Sequence, residues 1–235
     1  MVLLFYQDGA VRTTSAGVPV MPTEKRWLNP DRADRHGLVA VGGSLDVDTM
    51  LLAYRRGIFP WFGPRDPVCW WSPDPRAIFD LDTFRPSHRL ARTVRSGKFT
   101  TTLDRDFAGV VAGCADRPLS ETWITPSMVE AYHRLHAIGH AHSVECWRGG
   151  ELAGGVFGVT VGGLFAGESM FHRRTDASKV ALCHLVERLR GCGFVLFDVQ
   201  MVTPHTARLG AVEVSRAEYL ARLAVAVGKD VGFTA

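Results

Sequence analysis

Asp198 and Gln200 stand two apart in the run Phe194-Val-Leu-Phe-Asp-Val-Gln200, and they are the first candidates for chemistry. The run is dense enough in apolar residues for a strand buried on both faces. A spacing of two puts both polar side chains on one face, at the strand's C-terminal end. An interior carboxylate and amide need partners or a purpose. A second carboxylate, Glu168, lies in an apolar setting of Leu164, Phe165, Met170 and Phe171. That setting reads either as an acid required by a ligand or as a glycine-rich hairpin with one exposed acid. Gly154, Gly155, Gly158, Gly162 and Gly163 would weaken a sheet that had only to be stable, so they suggest bulges or a close approach by something other than a side chain.

Several elements must hold these residues. Residues 154 to 179 read as two strands joined at Val161-Gly162-Gly163, a polar loop, and a helix opening near Asp176 or Ser178 and running to Arg190. Upstream, Val47, Met50, Leu51 and Tyr54 share a helix face, with Asp46 as cap and Gly57 as stop. The proline-broken stretches Gly57 to Phe62 and Trp70 to Arg76 are expected to be irregular, an aromatic wall that plugs a core or lines a pocket. A helix from Pro86-Ser87 to about Ser96 sets Leu90, Ala91 and Val94 against Arg89, Arg92 and Arg95. With Arg85 and Lys98 the span carries five basic residues and no acid, which points to phosphate contact over a solvated helix face. A strand over Phe99 to Leu103, a short helix from Asp104, and a helix capped by Thr125 follow. His140 and His142 share a strand face without a third ligand at readable spacing, so they are read as structural and no metal is expected. A strand over Leu209 to Val214 and a helix opened by Ser215 and Glu218 close the chain.

The 235 residues suffice for one or two domains with a buried core. Apolar content of 46%, charged content of 22% and a net charge of +3 fit an ordinary globule that allows, without demanding, a polyanionic partner. Five scattered cysteines without a C-x-x-C pair favour reduced thiols. The start, MVLLFYQDGAVR, reads as neither signal peptide nor anchor, and no apolar run approaches the roughly 20 residues a bilayer needs. A cytoplasmic protein without a membrane partner is expected. Residues 1 to 36 are loop-rich.

Nine segments together resemble the leucyl/phenylalanyl-tRNA-protein transferases: AYRRGIFPWF (53–62), WWSPDPRAI (70–78), TWIT (122–125), AYHRLHAIGHAHSVECW (131–147), GGVFGV (154–159), FAGESMF (165–171), ASK (177–179), FDVQ (197–200) and LGA (209–211). They run in order over most of residues 37 to 220. The resemblance implies transfer of Leu or Phe from Leu-tRNA or Phe-tRNA to the α-amine of proteins with N-terminal Arg or Lys, which marks them for the bacterial N-end rule pathway. It implies an α/β (α+β) fold, with a small N-terminal α/β domain (1–74) before a GNAT-like mixed-sheet domain with flanking helices (75–235), and no cofactor. By resemblance Gln200 hydrogen-bonds the attacking amine, Asp198 orients or polarises Gln200, and Glu168 helps to hold the substrates. The Leu or Phe side chain should lie among Trp61, Trp123, Val156, Phe165, Leu185, Leu189 and Phe197. Arg85, Arg89, Arg92, Arg95 and Lys98 become the expected seat of the tRNA acceptor stem, with Arg173 and Arg174 contributing.

The chain departs from the family pattern at Val199, Thr203-Pro204, Arg208, Ser44 and His88-Arg89, none of which removes Asp198 or Gln200. Two rival readings are an acetyl-CoA-dependent N-acetyltransferase and a noncatalytic tRNA-binding module. The first lacks the loop that would cradle a pyrophosphate before the helix at 176. The second leaves Asp198 and Gln200 idle.

Overall fold

The computed structural model describes residues 28–118 and 122–234, so the expected loop-rich start lies outside the described residues as far as residue 27. A small antiparallel sheet holds β1 (Leu38–Val41), β2 (Phe59–Pro60) and β3 (Cys69–Trp71) in the order β1-β3-β2. The aromatic stretches expected to be irregular therefore supply two short strands. Pro60 is tolerated because β2 is an edge, where a missing N–H leaves no ladder bond unmade on the open side. Between β1 and β2 runs α1 (Val47–Arg55), capped by Asp46, whose carboxylate accepts the Thr49 N–H. Gly57 ends it at φ +73, and an added Cβ would lie 2.8 Å from Leu220 and 2.9 Å from Tyr219, so only glycine fits that turn.

The larger sheet contains β4 (Arg76–Phe79), β5 (Thr100–Leu103), β6 (Ala141–Arg148), β7 (Glu151–Val161), β8 (Leu164–His172), β9 (Leu196–Gln200) and β10 (Val212–Val214), ordered β10-β4-β9-β8-β7-β6-β5. Only β8 and β9 are parallel, and the crossover such a pair needs is α5 (Ala177–Gly191). Side chains alternate along β7. Val156 faces a core made with α2 (His88–Arg95) and α5, whereas Phe157 and Val159 face one made with α1, α3 (Phe107–Ala115), α4 (Pro126–Ala137), α7 (Arg216–Val227) and the small sheet. The result is a mixed α/β molecule in three layers, as the resemblance implied for the fold class.

Local expectations differ from the structure in two further places. The helix expected from Asp104 starts at Phe107 under an Asp106 cap. Asp104 instead makes a left-handed corner at φ 54, and its carboxylate accepts the Ser143 N–H at 2.7 Å and meets His142 Nδ1 at 2.7 Å. The strand expected from Leu209 begins only at Val212, because α6 (Pro204–Arg208), opened by a Thr203–Thr206 capping box and ending at Leu209, precedes it. α5 opens where expected, with Asp176 as its N-cap residue at φ 68; the Asp176 side chain makes no cap bond, and its carboxylate is held by Lys179 at 2.8 Å and Arg89 at 3.3 Å. His140 Nδ1 meets Thr160 O at 3.0 Å, in keeping with a structural role. No helix among the described residues is long and apolar enough to cross a membrane.

Candidate active site

β8 and β9 pair from Leu164 opposite Leu196 only as far as Ala166 opposite Asp198, although β8 continues to His172. The strands part where each carries an extra residue. On β8, Phe157 faces Ser169 and Gly158 faces Gly167, which leaves Glu168 unmatched. On β9, Ala77 faces Gln200 and Ile78 faces Asp198, which leaves Val199 unmatched. Bulges end pairing and re-aim side chains, and these two bring Glu168 and Gln200 together. The β8 bulge depends on Gly158, where a Cβ would stand 2.3 Å from Ala166 O.

Glu168 is 7% exposed and accepts three hydrogen bonds. Tyr54 on α1 donates its hydroxyl to Oε1 at 2.8 Å, Tyr132 on α4 donates to Oε2 at 2.6 Å, and Gln200 Nε2 donates to Oε1 at 3.3 Å. Burial pushes the carboxyl up to about 7, against the lowering effect of the two tyrosine hydroxyls. Both phenols are held above their ordinary range, first by burial and then by the Glu168 charge, so they stay hydrogen-bond donors at neutral pH.

Gln200 has left-handed backbone at φ 60, rare for a residue with a Cβ. Its backbone N–H donates to Asp198 Oδ1 at 2.9 Å. Asp198 thus orients Gln200 through the main chain, whereas the Gln200 side chain turns to Glu168. Beneath Asp198 lie Arg76 on β4 and Tyr219 on α7, both buried against the same carboxylate.

The seven residues expected around one apolar slot fall on both faces of the sheet. Val156, Phe165, Leu185, Leu189 and Phe197 pack together under α5, with Phe165 edge-on to Phe197 at 5.4 Å. Met170 and Val199 are the half-buried members of that cluster beside the strand gap. Trp61 and Trp123 lie on the opposite face, beside Trp71 (5.9 Å) and Tyr132 (6.4 Å), so they cannot wall the same slot. The indole N–H of Trp61 is buried without a hydrogen-bond partner among the described residues.

All five residues of the basic stripe are exposed. Arg85 donates to the carbonyls of Asp82 and Phe84, and Arg89 pairs with Asp176. Arg92 and Arg95 show no ion pair among the described residues. Arg174 reaches Glu151 at 3.5 Å.

Sequence reasoning missed Tyr54, Tyr132, Arg76 and Tyr219 as members of this centre. Tyr54 and Tyr132 occupy the inward face of an amphipathic helix, which periodicity assigns to the core. The signal that could have found three of them was present, since AYRRGIFPWF, AYHRLH and WWSPDPRAI each contain one.

Comparison with known proteins bears on this arrangement. Residues 43–74 match the family described as leucyl/phenylalanyl-tRNA protein transferase N-terminal domain, and residues 78–224 match leucyl/phenylalanyl-tRNA protein transferase. The chain is 55% identical over 211 residues to the leucyl/phenylalanyl-tRNA--protein transferase of Solidesulfovibrio magneticus, covering 88% of this chain and 83% of that protein. It is 49% identical over 212 residues to the protein of that name from Anaeromyxobacter sp., covering 89% and 90%. Among solved structures, L-PGS from Bacillus licheniformis is similar at a TM-score of 0.41 and 12% identity over 79% of this chain and 71% of that one, too slight a likeness to bear on the site.

Proposed function

This chain belongs to the leucyl/phenylalanyl-tRNA-protein transferase family and moves Leu or Phe from aminoacyl-tRNA to protein; from that premise we propose that it acts on proteins beginning with Arg or Lys, at the gap between β8 and β9. The product would carry an N-terminal degradation signal of the bacterial N-end rule. The observation that carries the placement is the buried Glu168 carboxyl, poised near neutrality and joined to the Gln200 amide at the point where the strands separate.

Ester to peptide is downhill, so the protein has to supply a neutral amine, orientation and a dry setting. An α-amino group ordinarily titrates at about 7.7–8.0, within about a unit of Glu168, so its proton passes to that carboxylate with little loss. Gln200 Nε2 is committed to Glu168, and its Oε1, without a partner among the described residues, accepts from an amine N–H. The neutral nitrogen attacks the ester carbonyl, the new C–N bond replaces the C–O bond, and the ribose oxygen leaves as a hydroxyl with one of the amine's two remaining protons, the other staying as the amide N–H. Alignment of this kind contributes up to about 7–11 kcal/mol in the best intramolecular cases.

The Leu or Phe side chain enters the α5 face past Met170 and Val199 towards Phe165 and Phe197. Trp61 and Trp123, on the other face, offer flat rings for the terminal base, a contact worth about 1–3 kcal/mol per base. Radiolabelled Leu-tRNA incubated with otherwise identical proteins starting with Arg, Lys or Ala tests the reading. Incorporation on Arg and Lys alone is expected, with Ile on the same tRNA disfavoured by about 1–3 kcal/mol because its β-methyl meets the slot wall. Equal incorporation on the Ala protein would sink the acceptor assignment, and equal use of Ile would sink the slot.

Arg85, Arg89, Arg92, Arg95 and Lys98 are the proposed tRNA contact. If about five phosphates are neutralised, log affinity should fall against log salt with a slope of roughly 3 to 5. A titration of Leu-tRNA binding between low and moderate salt checks this, and a flat response would exclude the stripe. An acetyl-CoA reading is disfavoured, because the loop His172-Arg-Arg-Thr-Asp-Ala-Ser178 before α5 lacks the glycine-rich pattern that cradles a pyrophosphate at a helix N-terminus.

A further inference from the structure

The Asp198 carboxylate has no lone pair left for a substrate. Oδ1 accepts from Arg76 Nε at 2.8 Å and from the Gln200 backbone N–H at 2.9 Å. Oδ2 accepts from Arg76 Nη2 at 2.5 Å and from the Tyr219 hydroxyl at 2.9 Å. Two donors on each oxygen use up the acceptor capacity of a carboxylate, and both members of the ion pair are 1% exposed. The guanidinium is itself fixed from three sides. Its Nη1 donates to Gly57 O at 3.0 Å, and its face lies against the rings of Phe59 at 4.8 Å and Tyr219 at 4.4 Å. Burial works against the arginine's charge, but Asp198, Tyr219 and Glu168 together outweigh it and leave the group above its ordinary range, so Arg76 keeps its proton.

We infer that Arg76, backed by Tyr219, is a positioning residue for the transfer: it commits Asp198 to the Gln200 backbone and so fixes the left-handed turn that sets the Gln200 amide against Glu168. The inference rests on the reading of Gln200 as the residue that holds the attacking amine. A buried arginine-carboxylate pair is a poor device for stability alone, since apolar residues of like volume often serve as well. What the bidentate fork supplies is direction, because two parallel N–H···O bonds fix the plane of the carboxylate. That plane decides where Oδ1 meets the N–H of Gln200, a residue whose φ of 60 needs such an anchor. It also removes Asp198 from the list of groups able to take the amine's proton.

The test compares Arg76→Lys, Arg76→Ala, Tyr219→Phe and Gln200→Ala in the full chain, with circular dichroism to establish folding and kcat and KM measured for Leu-tRNA and for the acceptor. Arg76→Lys keeps the charge and loses the fork. Its kcat should fall about 10- to 100-fold, the size of effect a displacement of about 1 Å produces, while both KM values stay within about twofold. Arg76→Ala should be slower still and should recover turnover with millimolar guanidinium chloride but not with ammonium chloride. Tyr219→Phe, which keeps the fork, should lose less than Arg76→Lys. A wild-type kcat in Arg76→Lys, a loss confined to KM, or a folded Arg76→Ala that guanidinium does not rescue would overturn the inference. If Arg76→Ala does not fold, Arg76→Lys and Tyr219→Phe decide, and wild-type kcat in both overturns it. A fully active Gln200→Ala would instead defeat the underlying reading, whereas an impaired Gln200→Ala beside an unimpaired Arg76→Lys defeats this inference alone.

Discussion

Glu168→Gln is expected to lower turnover about 100-fold or more, the usual contribution of a positioned general base, and to change both pH dependences of the protein. Wild-type turnover should rise with pH through about 7 as Glu168 ionises. In the variant that component should vanish, leaving only the acceptor amine's own titration at about 7.7–8.0. Stability should move in the opposite sense. The folded carboxyl holds its proton up to about 7, against an ordinary value of 4.5, so between those values the folded state binds more protons than the unfolded chain. Glu168's contribution to stability is then full below 4.5, falls as pH rises towards 7 and levels off above it, a change of about 3 kcal/mol for one group shifted this far. Because His205, whose value burial lowers, acts in the opposite sense, the decline is read as the melting temperature of wild type relative to Glu168→Gln, which should fall between pH 5 and pH 8. A wild type that instead gains on the variant over that range, or a variant with unchanged turnover, would remove Glu168 from its place in the mechanism.

Gln200→Ala should reduce turnover about 100-fold as the amine loses its alignment, with Leu-tRNA affinity close to wild type. The substitution keeps a Cβ at the same left-handed backbone and keeps the N–H bond to Asp198, so it removes the amide without disturbing the ion pair beneath. Asp198→Ala is the more drastic change. It strands a guanidinium that is 1% exposed, and breaking such a pair destabilises by about 3–5 kcal/mol. Stopped-assay kinetics and filter binding on Gln200→Ala, alongside a thermal melt of Asp198→Ala, separate the two roles. Weakened tRNA binding with normal turnover in Gln200→Ala would show that its amide serves binding instead of transfer.

The sequence carried much of this, and the reasons it carried no more are physical. Period-two and period-3.6 patterns revealed the central hairpin, the helix opening at Pro86-Ser87 and α4, because those signals are local. The pair Asp198 and Gln200 stood out by polarity in an apolar strand. Arg76 and Tyr219 did not, because a buried charge is recognisable only beside its partner, and Arg76 lies 122 residues from Asp198. The seven slot residues divide between two faces for a related reason. Motif order lists aromatic residues without saying which side of a sheet they occupy, and Trp61 and Trp123 lie across β7 to β9 from Phe165 and Phe197. α6, at five residues, is too short to display a period at all.

The parting of β8 and β9 turns the larger sheet into a septum with a doorway. On the reading proposed above, the hydrocarbon of the amino acid occupies the layer beneath α5, while the terminal base and the acceptor terminus share the layer of α1 and α4, and the ester stands in the opening. The amino-acid side chain therefore takes no volume that the acceptor needs.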